Sequence, residues 1–325
     1  MTSRKMIRPR PAMNICSFLP SATEIIYALG LESELCAVTH ECDYPEAAKS
    51  KPKLTASAIE YVAAGSSSSQ LIDSQVKESL ASGKGIYSLD FSVLSKAAPD
   101  LIFTQELCEV CAVSYGEIYR AAQKLAKQPR IVSLDTFYLR DILEAVRRVG
   151  REAGKDSVAN DLANSLEERI NTTSRLCSDF SNGLAPKVFM LEWLDPIMCS
   201  GHWVSEVVRR AGGRDDFGKD GKNSYRVPWE QVKEYAPDYL IIAPCGFGVR
   251  KAEEEARQTL PRLDGWSDLL AVRKDQVFVA DGNAYFSRPG PRIVDGLEIL
   301  ASILHPEVTA YQEKFGSGDF VKFSS

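Results

Sequence analysis

Ala98-Pro-Asp-Leu-Ile-Phe-Thr104 and Ala236-Pro-Asp-Tyr-Leu-Ile-Ile-Ala243 share one lead, Ala-Pro-Asp, into a short apolar run. Apolar runs of this length between turn residues read as strands buried on both faces, the kind found in parallel sheets. A cysteine follows each copy, Cys108 and Cys245. The repeat therefore points to two related halves, each built around a central buried strand.

Working outward, the first half has further expected strands at residues 13–19, 35–39 and 130–134. Ser21 and Glu24 are spaced as a capping box, and a helix is expected to follow to Leu29, with Gly30 as its stop. Another helix is expected over 72–81, and a third from the Cys108-Glu-Val-Cys111 motif to about residue 125. The stretch 141–179 is helical throughout, with one break at Gly154-Lys-Asp156. Its second part, about 20 residues, spans on the order of 30 Å and reads as a bridge rather than a crossover. Alternation then restarts with strands at 187–193, 238–243 and 276–280, and helices at 203–211, 249–259 and 292–304. Strand and helix in alternation predict parallel β-α-β units. The expected fold is α/β, two Rossmann-like lobes with mainly parallel sheets joined by a long bridging helix. Its parts are a basic tail (1–12), an N-terminal lobe (13–155), the bridge (156–180), a C-terminal lobe (181–306) and a C-terminal tail (307–325).

The chain has 325 residues, 44% of them hydrophobic, a net charge of −5 and a pI near 5.5. Acidic and basic residues are interspersed, which offers no surface for nucleic acid or anionic membrane. No apolar run approaches a membrane span. Residues 1–13 are basic with no apolar stretch of signal-peptide length, and the eight cysteines fall at irregular spacing. Both observations lead to the expectation of a cytoplasmic protein with reduced thiols. Phosphate-loop, dinucleotide, zincin and serine-hydrolase motifs are absent.

In an open parallel sheet, ligands bind beyond the carboxyl ends of the strands. Five post-strand segments there are rich in reactive or aromatic residues, and the two-lobe reading has them converge on one cleft. They supply His40, Glu41, Cys42, Tyr44, Cys108, Cys111, Glu192, Trp193, His202, Trp203, Cys245, Phe247, Asn283, Tyr285, Phe286 and Arg288. Thiolate and imidazole suit zinc or iron. Aromatic faces suit a large planar ring such as a tetrapyrrole, and Arg288 or Arg292 suits its carboxylate or phosphate groups.

Ile15-Cys-Ser-Phe-Leu-Pro-Ser-Ala-Thr-Glu-Ile-Ile-Tyr-Ala-Leu-Gly-Leu31, with Val38-Thr-His-Glu-Cys-Asp-Tyr-Pro45, resembles the cobalamin-binding members of the class III periplasmic-binding-protein superfamily. The resemblance covers nearly everything from Met13 to Pro306 and points to a cysteine-bearing branch without a signal peptide. It implies two α/β lobes holding a corrinoid or metal chelate between them, delivered to an ABC importer.

The leading expectation is a binding protein, not an enzyme. Its ligand would be cobalamin or a related corrinoid, flanked by Trp193, Trp203, Tyr285 and Phe286, with Cys42, Cys108 and Cys111 facing the metal. The alternative is a zinc or iron site on those three cysteines, with His40 or His202 as fourth ligand and Glu41 or Glu192 as base to a bound water. A thiol redox protein using Cys108 and Cys111 alone is the third reading.

Overall fold

The structure is a computed structural model that describes residues 13–59, 68–82, 85–106, 113–180 and 185–324. Its elements run β1 (Ile15–Ser17), α1 (Pro20–Ala28), β2 (Leu35–Val38), β3 (Thr55–Ser57), α2 (Ser69–Ala81), β4 (Tyr87–Leu89), α3 (Phe91–Ala97), β5 (Leu101–Thr104), α4 (Tyr115–Ala122) and β6 (Arg130–Ser133). Then come α5 (Leu139–Ala153), α6 (Asp156–Phe180), β7 (Val188–Trp193), β8 (Met198–Cys199), α7 (Val204–Arg210), α8 (Trp229–Tyr235) and β9 (Tyr239–Ile242). The chain closes with α9 (Val249–Thr259), α10 (Leu270–Arg273), β10 (Val277–Ala280), α11 (Gly282–Tyr285), α12 (Ile293–Leu304) and β11 (Phe320–Lys322). The fold is α/β, as the alternation predicts.

Contacts divide the chain into two units. The first takes the described residues of Met1–Ala56 and Tyr87–Leu134, the second those of Ser57–Ile86 and Asp135–Ser325. In the first unit a four-stranded sheet runs β2-β1-β5-β6, every pairing parallel. Ile15, Cys16 and Ser17 of β1 and all four residues of β5 are buried, so the strands tolerate no alternation of polar residues. Phe18, Leu54, Leu94, Ile102 and Ile118 pack one face of this core.

The second unit has a five-stranded mixed sheet, β11-β10-β9-β7-β8. Strands β7, β9 and β10 are parallel, and β8 and β11 add antiparallel edges. Phe189, Leu191, Leu240, Ile242 and Val279 form its core, with Ile72 of α2 and Phe323 beyond β11. Helix α5 ends at Gly154, whose φ of 68° is the left-handed stop a glycine accepts at least cost. Helix α6 packs on α5 and α12.

The Ala-Pro-Asp echo has a structural counterpart. Ala98 and Ala236 both end a helix in the left-handed conformation, at φ 41° and 47°. Asp100 then accepts the backbone N–H of Asn14 through Oδ2 at 2.8 Å, and Asp238 that of Lys187 at 3.0 Å. The backbone N–H groups of Asp100 and Asp238 return to the carbonyls of Asn14 and Lys187 at 2.8 Å in both cases. Lys127 pairs with Asp100, and Lys274 with Asp238. In each unit the motif thus locks the central strand to the first strand of its sheet.

One local reading is corrected. Ser21 and Glu24 do not form a capping box, because α1 already begins at Pro20, with Leu19 as its uncapped N-cap residue. Proline at the first helical position has its φ preset for a helix and lacks an N–H to satisfy. Ser21 and Glu24 are buried inside the first turns instead.

Candidate functional site

In the first unit, the loop after β2 holds His40, Glu41 and Tyr44. The His40 imidazole Nδ1 lies 2.8 Å from the Thr55 hydroxyl, and the ring packs on Tyr87 with centroids 5.6 Å apart. Tyr87 donates its hydroxyl proton to Glu41 at 3.1 Å. Nε2 of His40 is buried and has no partner among the described residues. Burial lowers the pKa of this histidine and leaves it neutral near pH 7, against a raising influence from Glu41. Tyr44 is exposed.

Cys42 lies among hydroxyls. Its side chain is 1% exposed, and its sulfur lies 3.1 Å from the Thr23 hydroxyl and 3.2 Å from that of Thr39. Cys108 and Cys111 lie outside the described residues. Among the described residues no group of three His, Cys, Asp or Glu side chains is arranged to hold a metal ion. The zinc or iron reading therefore finds no support. Spacing could count three thiols but could not show that hydroxyls enclose one of them.

In the second unit, the ends of β7, β9 and β10 gather most of the remaining residues. Trp193 stacks obliquely on Phe247 at 5.4 Å, and Lys251 lies 4.0 Å over the Phe247 ring. The loop after β10 joins them through the N–H of Asn283, donated to the Phe247 carbonyl at 3.1 Å. Buried Arg288 donates to the Asn283 amide oxygen at 2.9 Å. Nearby in sequence, Tyr285 donates its hydroxyl proton to Asp319 while Arg292 covers its ring at 5.9 Å. Exposed Cys245 gives its N–H to the Glu192 carbonyl.

A second cluster forms around Trp203. Its ring stacks on His202 at 5.5 Å, and its indole N–H reaches the Phe286 carbonyl at 2.9 Å. His202 sits at φ 51°, an uncommon conformation for a side chain with a β-carbon. Its Nε2 is buried without a partner among the described residues, as is Nε1 of Trp193. Burial lowers the His202 pKa, opposed by a hydrogen bond with Asn223.

Glu192 lines a small cavity with Met190, Val204, Ala243, Phe286 and Ser287. Gly201 donates its N–H to Glu192 Oε2 at 2.9 Å, and Ser224 also bonds this carboxyl. Burial is the main cause that pushes its pKa up to about 7, with Asp215 adding to the rise. Sequence reading missed Asp215, Gly201, Ser224 and Ser287. The signal for Asp215 is Asp215-Asp-Phe-Gly218, an Asx-turn spacing in which the carboxylate accepts the N–H groups of Phe217 and Gly218.

Among the described residues these loops are aromatic and polar, the side-chain types that line small-molecule sites. Comparison with known proteins agrees. The family model described as periplasmic binding protein matches residues 15–284. An uncharacterised ABC transporter substrate-binding lipoprotein of Bacillus subtilis is 23% identical over 299 residues, 90% of this chain and 80% of the relative. A vitamin B12-binding protein of Vibrio cholerae is 24% identical over 308 residues, covering 94% and 93%. A periplasmic haem-binding protein of Pseudomonas aeruginosa shares the fold with a TM-score of 0.68 at 17% identity, covering 90% and 93%. These are substrate-binding proteins, not enzymes. They also overturn the expectation of a cytoplasmic protein, since periplasmic and lipoprotein receptors work outside the cytoplasm. That expectation rested on the composition of residues 1–13 and on the irregular cysteine spacing.

Proposed function

The chain belongs to the periplasmic binding protein family, and from that premise we propose that it is the solute receptor of an ABC importer whose solute is a corrinoid. The observation that carries this reading is the Trp193–Phe247 pair beside Asn283 and Arg288. It combines a broad apolar wall with a buried cation and an amide, the chemistry that a large ring with polar substituents requires. Relatives named as vitamin B12-binding proteins support it. In the first unit, His40, Glu41 and Tyr44 offer polar groups to the same kind of ligand.

Titration with cobalamin, cobinamide and haemin, followed by absorbance and by quenching of tryptophan fluorescence, tests the reading. Retention of a corrinoid through desalting, weakened ten-fold or more in Trp193→Ala, is the expected result. Retention of haemin alone would replace the corrinoid by haem, and retention of none would reject both.

A further inference from the structure

The chain leaves the first unit at the end of β3, forms α2 within the second unit, and returns to the first at β4. Each end of this excursion holds residues assigned to the solute, and each does so inside one unit. At its base, Thr55 of β3 holds His40, accepting the backbone N–H at 3.2 Å and meeting Nδ1 at 2.8 Å. Tyr87 of β4 packs on the same imidazole and donates its hydroxyl proton to Glu41 at 3.1 Å. At its tip, the buried Ser69 hydroxyl accepts the N–H of Asp195 at 2.9 Å, in the loop that follows Trp193. The N–H of Ser69 itself donates to the Glu255 carboxylate. Ile72 and Val76 of α2 join the core cluster against which Trp193 packs, and Asp73 adds an exposed contact with Arg226.

Base and tip are joined by hydrogen bonds as well as by the chain. In the last turns of α2, the Ser79 hydroxyl donates to the Gly85 carbonyl at 3.3 Å. Ile86, the next residue, accepts the N–H of Ala58 at 2.9 Å, and β3 pairs with β4 beside them. Helix α2 has 13 residues, of which Ser69 and Ile72 are the buried ones. A helix of about that length is marginal on its own, so its order depends on the surface it docks on. An element so tied opens as one cooperative piece with the parts it is bonded to.

We propose that the excursion from Thr55 to Tyr87 is a strap that couples the solute residues of the first unit to those of the second, with Ser69 and Tyr87 as its positioning residues. Loss of the Ser69 contact frees the loop after Trp193 and undocks α2. Through Gly85 and the β3–β4 pair, the same event loosens Thr55 and Tyr87 from His40 and Glu41. The coupling is reciprocal, because a solute that orders either set of residues favours the docked strap, which orders the other set. What the strap positions rests on the solute-receptor reading above, whereas the coupling is a property of the solute-free chain.

Hydrogen exchange by mass spectrometry on the solute-free full chain tests the coupling. Ser69→Ala removes a contact that lies wholly in the second unit. It should speed exchange about ten-fold or more at Asp195 and in α2, and also over residues 39–44 of the first unit, while β9 and β10 are unchanged. Asp238→Ala weakens the second unit away from the strap and should leave residues 39–44 unchanged. Acceleration confined to Asp195 and α2 would overturn the proposal, as would equal acceleration of residues 39–44 in Asp238→Ala. Should Ser69→Ala fail to fold, wild type in sub-denaturing urea decides. There α2 and residues 39–44 should open in one step ahead of β9, and separate openings, or opening only with β9, would overturn the strap. Adding dicyanocobinamide to wild type tests the receptor reading separately. Slower exchange in both α2 and residues 39–44 is expected. Retention of the corrinoid with slowing in one of them or in neither would overturn the strap. No retention would reject the corrinoid receptor, with the solute-free exchange still deciding the coupling.

Discussion

The indole N–H of Trp203 donates to the backbone carbonyl of Phe286 at 2.9 Å, with both residues buried. This bond ties the residue just before α7 to the loop that follows α11. Both residues were expected as ligand-flanking aromatics, and what the structure gives Trp203 is a tethering task. Trp203→Phe keeps most of the apolar contact and leaves the Phe286 carbonyl unpartnered. The expected cost is about 1–3 kcal/mol in urea unfolding. A change within error would show that water replaces the indole at that carbonyl.

The paired motifs at Asp100 and Asp238 should respond alike. Replacing either by Ala leaves the N–H of Asn14 or Lys187 without its side-chain acceptor. Each substitution is expected to lower stability by about 1–3 kcal/mol. Lys127→Met removes only an exposed ion pair and should cost less. Thermal unfolding of the three variants checks the order, and Lys127→Met proving the most damaging would refute the assignment of the lock to the aspartates.

Gly212 and Gly246 both have positive φ, 80° and 74°, but differ in surroundings. A β-carbon at Gly212 would lie 2.5 Å from His305 Nε2 and 3.2 Å from Cys177, whereas one at Gly246 meets nothing within 4 Å. Gly246→Ala should therefore carry only the left-handed penalty of about 1–2 kcal/mol. Gly212→Ala should lose that amount plus the displacement of a buried histidine, and a lower melting temperature than Gly246→Ala is the outcome to look for.

Glu192 gives the fold an unusual pH response. Its pKa rises from an ordinary 4.5 to about 7, chiefly through burial. Between those values the folded chain holds a proton that the unfolded chain has released, so stability is lost as pH rises through that window. The amount is on the order of 2–3 kcal/mol. His40 and His202, both lowered by burial, act in the opposite sense and lose stability as pH falls. The difference between wild type and Glu192→Gln isolates the glutamate. That difference in melting temperature should shift steadily from pH 5 to pH 7.5, and parallel curves would remove Glu192 as the titrating group.

Much of the candidate site could be read before the fold was known, because the rule that ligands gather beyond strand ends needs only the order of elements. Trp193, Phe247, Asn283 and Arg288 are distant in sequence, and the structure brings them into one connected group. Asp215 was missed because it follows no strand end rich in reactive residues, and its role comes from a turn that folds its carboxylate inward. Cys42 was grouped with the metal-facing residues by type alone. Its chemistry as a type is that of a ligand, yet Thr23 and Thr39 enclose its sulfur.

The linear order of residues by itself determined the α/β class, the long helix over Asp156–Phe180, and the twin Ala-Pro-Asp leads, since hydrophobic period, glycine stops and proline leads act over a few neighbours. Only the tertiary structure decided that α2 packs with the second unit through Ile72 and that Phe320–Lys322 completes its sheet. Those outcomes depend on partners tens to hundreds of residues away. Burial, which sets both the pKa of Glu192 and the fate of the Cys42 thiol, is a property of the folded surroundings rather than of the residue.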